Sequence, residues 1–229
     1  AFIGPGTVTL CTLAGVNFGY KLLWAMTLSI VATVVLQEMA VRDGIITQKG
    51  LAEVIKEQIS SVFLRKVVII LILAAIVVGN AAYEAGNISG ASLGISALFE
   101  KSTFNYFPIL IGCIAFVLLY IGNYKILERS LIVLVLLMSF SFILTAIITK
   151  PSIELILKGM LIPSFPKNSI LTIIGLIGTT VVPYNLFLHA SLVKEKWKLT
   201  SDLKNAKRDT LISVILGGFV SMAIIVAAT

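Results

Sequence analysis

This sequence predicts an all-α fold that crosses a bilayer several times, and three observations carry that expectation. Hydrophobic residues fill 58% of the 229 positions and charged residues only 13%, where a soluble domain carries about 25% charge. The charges are gathered into short clusters, which leaves apolar runs matching the roughly 20 helical residues that cross a hydrocarbon core. No run shows the polar and apolar alternation of a half-buried strand.

Taken along the chain, residues 1–18 are a short apolar piece containing "GPGTV" from Gly4 to Val8. It has no basic leader and continues straight into the next segment, so a cleavable signal is not expected. Residues 22–41 form a second segment, with Tyr20, Lys21 and Trp24 placed as an anchor at the outer interface. Glu38 and Arg42 at its far end have the spacing of an i, i+4 ion pair. "GLAEVIKEQISS", residues 50–61, is amphipathic and suits a helix lying at the membrane surface. Further spans are expected at 67–99, 107–123, 130–149 and 169–193, with another beginning near 210. "KILER", residues 125–129, reads as a tight turn between two of them.

Basic residues orient the segments. Thirteen of the 18 lysines and arginines fall in alternate loops, in the clusters Arg42 to Lys66, Lys125 to Arg129 and Lys194 to Arg208. By the positive-inside rule those loops and the amino terminus are cytoplasmic, in a multi-pass protein of the cell membrane. The net charge of +7 is therefore a topology signal. Nucleic-acid binding is excluded as its explanation, since the basic loops carry no aromatic platform or groove motif. Cys11 and Cys113 lie within apolar segments and read as small hydrophobes; a soft-ligand role for Cys11, one turn after Thr7, is the alternative.

Two of the segments are broken. Proline inside a helix removes a hydrogen bond and clashes with the preceding turn. In hydrocarbon, such irregular backbone survives only where it is buried or lines a wet cavity. The first segment breaks at Pro5 and the sixth at Pro183, five segments apart. Interruptions at corresponding places in two halves mark an inverted-repeat transporter that binds its substrate at the breaks. Residues 1–149 would form a first five-helix repeat and residues 169–229 would begin a second, all within one transmembrane domain. Simple packing kinks are the other reading of the two prolines.

The third segment holds Glu84, an acid deep inside a span, where a charge costs at least about 2.5–3.5 kcal/mol and normally faces a cavity, a partner or an ion. Asn80, Glu84 and Asn87 follow i, i+4, i+7 spacing and make one polar stripe. Gly86, Gly90 and Gly94 offer a flat face to another helix. A protonated Glu84 in a static core is the alternative.

"FGYKLLW" (18–24), "LQEMAVRDGIIT" (36–47), "GLAEVI" (50–55) and "VVPYNLFLHASLV" (181–193) resemble the Nramp divalent-metal transporters. The resemblance covers essentially the whole chain and implies the LeuT-type fold. Members of the family carry more helices than this chain holds, so the chain is expected to be a partial one covering about the first seven. The family's Asp-Pro-Gly-Asn motif falls on Gly4, Pro5, Gly6 and Thr7, and its Met-Pro-His motif on Val182, Pro183 and Tyr184. A second histidine of that helix matches His189. The family's Asp-x-x-Glu falls on Ala81 and Glu84. These departures resemble the branch of Nramp-related magnesium transporters.

Chemistry points the same way. A thioether selects soft transition metals, and oxygen donors suit hard ions. Magnesium sheds water reluctantly and is held through one or two carboxylates with several waters retained. The expected metal-site residues are Gly4, Thr7, Glu84, Thr179 and Val182, with carbonyls freed near Gly4, Thr179 and Val182. Asn80, Asn87, Tyr184, Asn185 and His189 would line the ion pathway, His189 by titrating or by a structural hydrogen bond. Magnesium or manganese enters as transported substrate, and no cofactor is expected. The expected partners are the divalent ion and the lipid bilayer, with no nucleic acid and no obligate protein partner. No P-loop, catalytic dyad or zinc-ligand spacing occurs, so an enzyme is not expected. The alternatives to an uncoupled magnesium transporter are a manganese or iron carrier with a degenerate site and a non-transporting ion sensor on the same scaffold. An organic-substrate carrier is a weaker one, because Glu84 would repel a substrate carboxylate.

Overall fold

Proline fits the first turn of a helix, where its missing N–H would have had no partner, and two helices here start on one. The computed structural model describes residues 3–96, 106–122 and 124–229, helical in nearly all of them. Helix α1 (Pro5–Phe18) opens on Pro5 from an extended Gly4. Its 14 residues reach about 21 Å, short of a hydrocarbon core of about 30 Å. Gly19, at φ 59°, and one 3₁₀ turn over Gly19–Leu22 reverse the chain into α2 (Leu23–Thr47). Helix α2 continues past the expected residue 41 and stops where Gln48 turns left-handed, at φ 52°.

The surface helix expected at 50–61 is α3 (Leu51–Gln58), whose Glu53 side chain accepts from the Gly50 N–H to close its first turn. Helix α4 (Val62–Ser96) follows, then α5 (Phe107–Ile121) and α6 (Tyr124–Ile148). The end of the expected third span, residues 97–99, lies outside the described residues. "KILER" is not a turn but belongs to the opening turns of α6; the reversal lies before it, where Gly122 takes φ 68°. A nine-residue helix, α7 (Ile153–Leu161), was not anticipated: it is capped by the Ser152 hydroxyl, and its short apolar run has no membrane-span length. The expected sixth span is two helices, α8 (Ile170–Thr180) and α9 (Pro183–Lys196), with Pro183 opening the second. Helix α10 (Leu203–Ala227) starts seven residues before the expected 210, because its first two turns are polar and hydropathy could not show them.

Among the described residues, five helical stretches are long and apolar enough to cross a membrane: Pro5–Thr47, Val62–Ser96, Leu131–Ile148, Ile170–Lys196 and Thr200–Ala227. The sequence reading separated the first of these into two segments and added 107–123, where the structure has a shorter apolar helix, Phe107–Ile121.

Helix α10 is the post on which α1 and α2 pack. A Cβ on Gly15 of α1 would lie 2.4 Å from the Ile225 carbonyl, so only glycine permits that approach. Cys11, Ala14, Leu22, Leu23, Met26, Leu176, Ile224 and Ile225 form the main core, where α1, the start of α2, α8 and the end of α10 meet. Val41, Ile45, Val193 and Ala206 form a second, smaller core at the other end. Cys11 is fully buried in the main core, as a small hydrophobe is, and Cys113 is exposed on α5.

One local expectation resolves differently, and Trp24 gains partners that the sequence did not show. Glu38 pairs with Lys207 of α10, not with Arg42. Trp24 turns toward the segment leading into α8: its indole N–H donates to the Ser164 carbonyl at 3.0 Å, and its ring meets Phe165 edge-on. The Ser164 hydroxyl returns a bond to the Lys21 carbonyl at 2.9 Å.

Candidate ion site

Three helix ends converge where the prolines fall. Helix α1 rises from Pro5, α8 descends to Thr180, and α9 starts anew at Pro183. The hydroxyls of Thr7 and Thr179 lie 2.8 Å apart, buried, although 172 residues separate them in sequence. Glycine at 175 lets the two half-helices approach: a Cβ there would sit 2.9 Å from a methyl of Leu10.

The free backbone groups are found on α8. Its end leaves carbonyls without their helical partners, and proline at 183 supplies no N–H for the carbonyl of Thr179. Gly4 and Val182 differ from the expectation that their carbonyls are free. The Gly4 carbonyl accepts from Val8 N–H at 3.0 Å and the Val182 carbonyl from Asn185 N–H at 3.1 Å. Both are starting acceptors of new helices, so each keeps only its second lone pair. The negative end of α8 therefore faces the gap, while the positive ends of α1 and α9 also point there. A cation held in the gap needs additional negative charge to offset the latter.

Helix α4 brings that charge. Gly90 lies against Pro5, where a Cβ would approach the Pro5 Cβ to 2.4 Å. Gly86 and Gly94 have nothing within 4 Å of such an atom, so one of the three glycines makes the close approach. The contact sets Asn87 beside the break: its Oδ1 lies 3.4 Å from where a Cβ on Gly4 would stand. Asn87 donates to the Glu84 carboxylate at 3.4 Å, which joins the two members of the polar stripe. Asn80 is exposed one turn further from the break.

On the other side of the break, Asn185 is buried and Tyr184 half-buried on the first turn of α9. His189, one turn on, lies 3.0 Å from the Thr210 hydroxyl of α10. Thr210 gives its proton to the Ala206 carbonyl at 2.9 Å, so the imidazole Nε2 is the donor to Thr210, and Nδ1 is left as the acceptor. Asn185, His189, Gln37 and Thr210, with Ser139 and Ser213, contribute the polar lining of a cavity of about 600 Å³ between α2, α6, α9 and α10.

Sequence reasoning missed two neighbours. Tyr83 donates its hydroxyl to the Gly178 carbonyl at 3.3 Å and meets the Tyr184 ring edge-on, 5.5 Å between centroids. Its adjacency to Glu84 was the available signal. Met26, fully buried on α2, places its sulfur 3.8 Å from the Thr180 hydroxyl. Nothing in its local sequence connects it to residue 180. Among the described residues, no three of His, Cys, Asp and Glu come together, and the polar groups gathered at the break are oxygens of hydroxyl, amide, carbonyl and carboxylate.

The comparisons agree with this architecture. Residues 1–229 match the family model described as natural resistance-associated macrophage protein-like, Nramp. The chain is 32% identical over 234 residues to the divalent metal cation transporter MntH of Yersinia pestis, covering 100% of this chain and 56% of that protein. It is 28% identical over 233 residues to MntH of Erwinia tasmaniensis, covering 99% and 55%. The chain thus spans about half the length of the relatives it matches. Among solved structures, a manganese transporter of Eremococcus coleocola superposes with a TM-score of 0.74 at 23% identity, over 100% of this chain and 49% of that one. The fold is that of a LeuT-type transporter, as the sequence resemblance implied.

Proposed function

The chain belongs to the Nramp family, and on that ground we propose that it is the ion-binding portion of a multi-pass membrane transporter for divalent cations, with partly hydrated Mg2+ as its substrate. The observation that carries the reading is the meeting of Thr7 and Thr179 at the two helix breaks, ringed by oxygen donors and approached by one carboxylate, that of Glu84. Thr7, Thr179 and the free carbonyls of α8 contact the ion or its waters. Gly4 and Val182 leave room for retained water where larger side chains would fill the gap. Glu84 supplies the offsetting charge through Asn87. Asn80, Tyr184, Asn185 and His189 line the approaches on either side. Residues 1–149 make one repeat and residues 169–229 begin its inverted counterpart, with the amino-terminal side in the cytoplasm.

Uptake on this reading needs no coupled proton. A divalent ion crossing the full potential gains about 4.6 kcal/mol per 100 mV, twice the single-charge value, which corresponds to roughly a thousandfold accumulation or more. The groups at Gly4, Ala81 and Tyr184 carry no charge change near neutral pH, since tyrosine's reference pKa is about 10.

Manganese transport, the activity named for the Eremococcus relative, is the competing reading. It is favoured by Met26, whose sulfur lies one hydroxyl behind the break. Flux of Mg2+ and Mn2+ into proteoliposomes of the full-length protein, at a clamped potential, separates the two. Faster Mg2+ uptake supports the proposal, and Mn2+ uptake without Mg2+ uptake refutes it.

A further inference from the structure

Tyr83 stands at the break with its single proton already committed. Its hydroxyl donates to the Gly178 carbonyl at 3.3 Å. That carbonyl belongs to the last turn of α8, and its ordinary helical donor would be the N–H of residue 182, beyond the helix end at Thr180. A tyrosine hydroxyl has one proton and two lone pairs. With the proton on Gly178 and the Thr179 hydroxyl as a second neighbour, it offers an approaching species only its remaining acceptor capacity. The ring is fixed by its edge-on contact with Tyr184, at 77° between planes, so the hydroxyl is held in place from α9 as well as from α8.

The two kinds of divalent ion see this arrangement differently. A cation that has shed water gains from every backbone carbonyl it can reach, as Ca2+ sites do; a cation that keeps its waters presents their protons and needs acceptors around it, as Mg2+ does. Capping Gly178 occupies one of that carbonyl's two lone pairs, which makes it a poorer ligand for the first kind, and supplies an oxygen acceptor to the second. We propose that Tyr83 is a specificity-determining residue of the ion pathway: its hydroxyl weakens the Gly178 carbonyl as a direct ligand and accepts from the water shell of the passing cation. The inference rests on the break being the site where a divalent cation binds.

The experiment compares uptake of Mg2+, Mn2+ and Ca2+ into proteoliposomes by the full-length wild type and by Tyr83→Phe. Phenylalanine keeps the ring on Tyr184, so the melting temperature should stay close to the wild type's. The ratios of Mg2+ to Ca2+ and of Mg2+ to Mn2+ uptake should each fall about fivefold, the worth of one neutral hydrogen bond. Unchanged ratios in the variant, or an equal loss for all three ions, would make Tyr83 a packing residue and overturn the inference while leaving divalent transport standing. A wild type that moves none of the three ions removes the transport reading and this inference with it.

Discussion

Gly90→Ala and Gly86→Ala make a matched pair on one helix, and their contrast tests whether the position of α4 matters to the ion. A Cβ at 90 would fall 2.4 Å from the Pro5 Cβ, while ordinary contact begins at 3.4 Å. The proline ring cannot rotate away, so α4 and the start of α1 must separate by the difference, about 1 Å. Glu84 and Asn87 ride on α4 and move with it, away from Gly4. A 1 Å misplacement of a positioned group costs on the order of 100-fold at a reacting centre. A binding site that retains water tolerates more, so the expected loss of Mg2+ uptake is about 10- to 100-fold. At Gly86 nothing lies within 4 Å of the added methyl. Alanine there should be neutral or stabilise the helix by about 0.5–1 kcal/mol. Uptake into proteoliposomes gives the first quantity and thermal unfolding in detergent the second. Equal uptake by the two variants, with both folded, would refute the placement of α4 as the helix that carries the charge to the break.

Three further outcomes follow from the same geometry. Glu84→Ala should abolish most divalent uptake in a folded protein, because it removes the charge that offsets the positive ends of α1 and α9; wild-type flux would show that another group does so. Gly4→Asp with Val182→Met should turn the preference toward Mn2+ or Cd2+ over Mg2+, read by competition uptake. Gly4 has room for the change, since its Cβ would meet Asn87 Oδ1 at 3.4 Å, and an unaltered preference would move the ion away from these two residues. His189→Ala should leave intravesicular pH during Mg2+ uptake as in the wild type, with no metal-dependent acidification in either; acidification that the substitution eliminates would make His189 a proton carrier.

The breaks were legible because proline announces them in any solvent, and hydrocarbon restricts what a break can be for. Glu84 was legible for a similar reason: an acid that far inside an apolar run has few explanations. The carbonyls were misassigned at Gly4 and Val182 because the sequence shows where a helix is interrupted but not where the next one begins. A residue that starts a new helix has its carbonyl occupied again at once. Glu38 was matched to Arg42 because i, i+4 spacing is visible locally, whereas Lys207 is brought beside it only by the antiparallel packing of α2 and α10. Tyr83 escaped notice because tyrosine in a membrane helix commonly marks an interface, and its acceptor on α8 lies 95 residues away.

The reciprocal bonds among Lys21, Trp24 and Ser164 have a mechanical consequence. They rivet the chain just before α8 to the corner between α1 and α2, at the ends of these half-helices farthest from Thr7 and Thr179. Two rods hinged at one end can separate only like the blades of scissors, and the tips travel most. Helix α8 is 11 residues long, which makes a blade of about 16 Å. A tilt of about 5° at the rivet would carry its tip roughly 1.4 Å, enough to pull apart the hydroxyls of Thr7 and Thr179, now 2.8 Å from each other. The contact at the proposed ion site is thereby the most sensitive gauge of that tilt, and a small angular change at the rivet is delivered, amplified, to the place where the ion would sit.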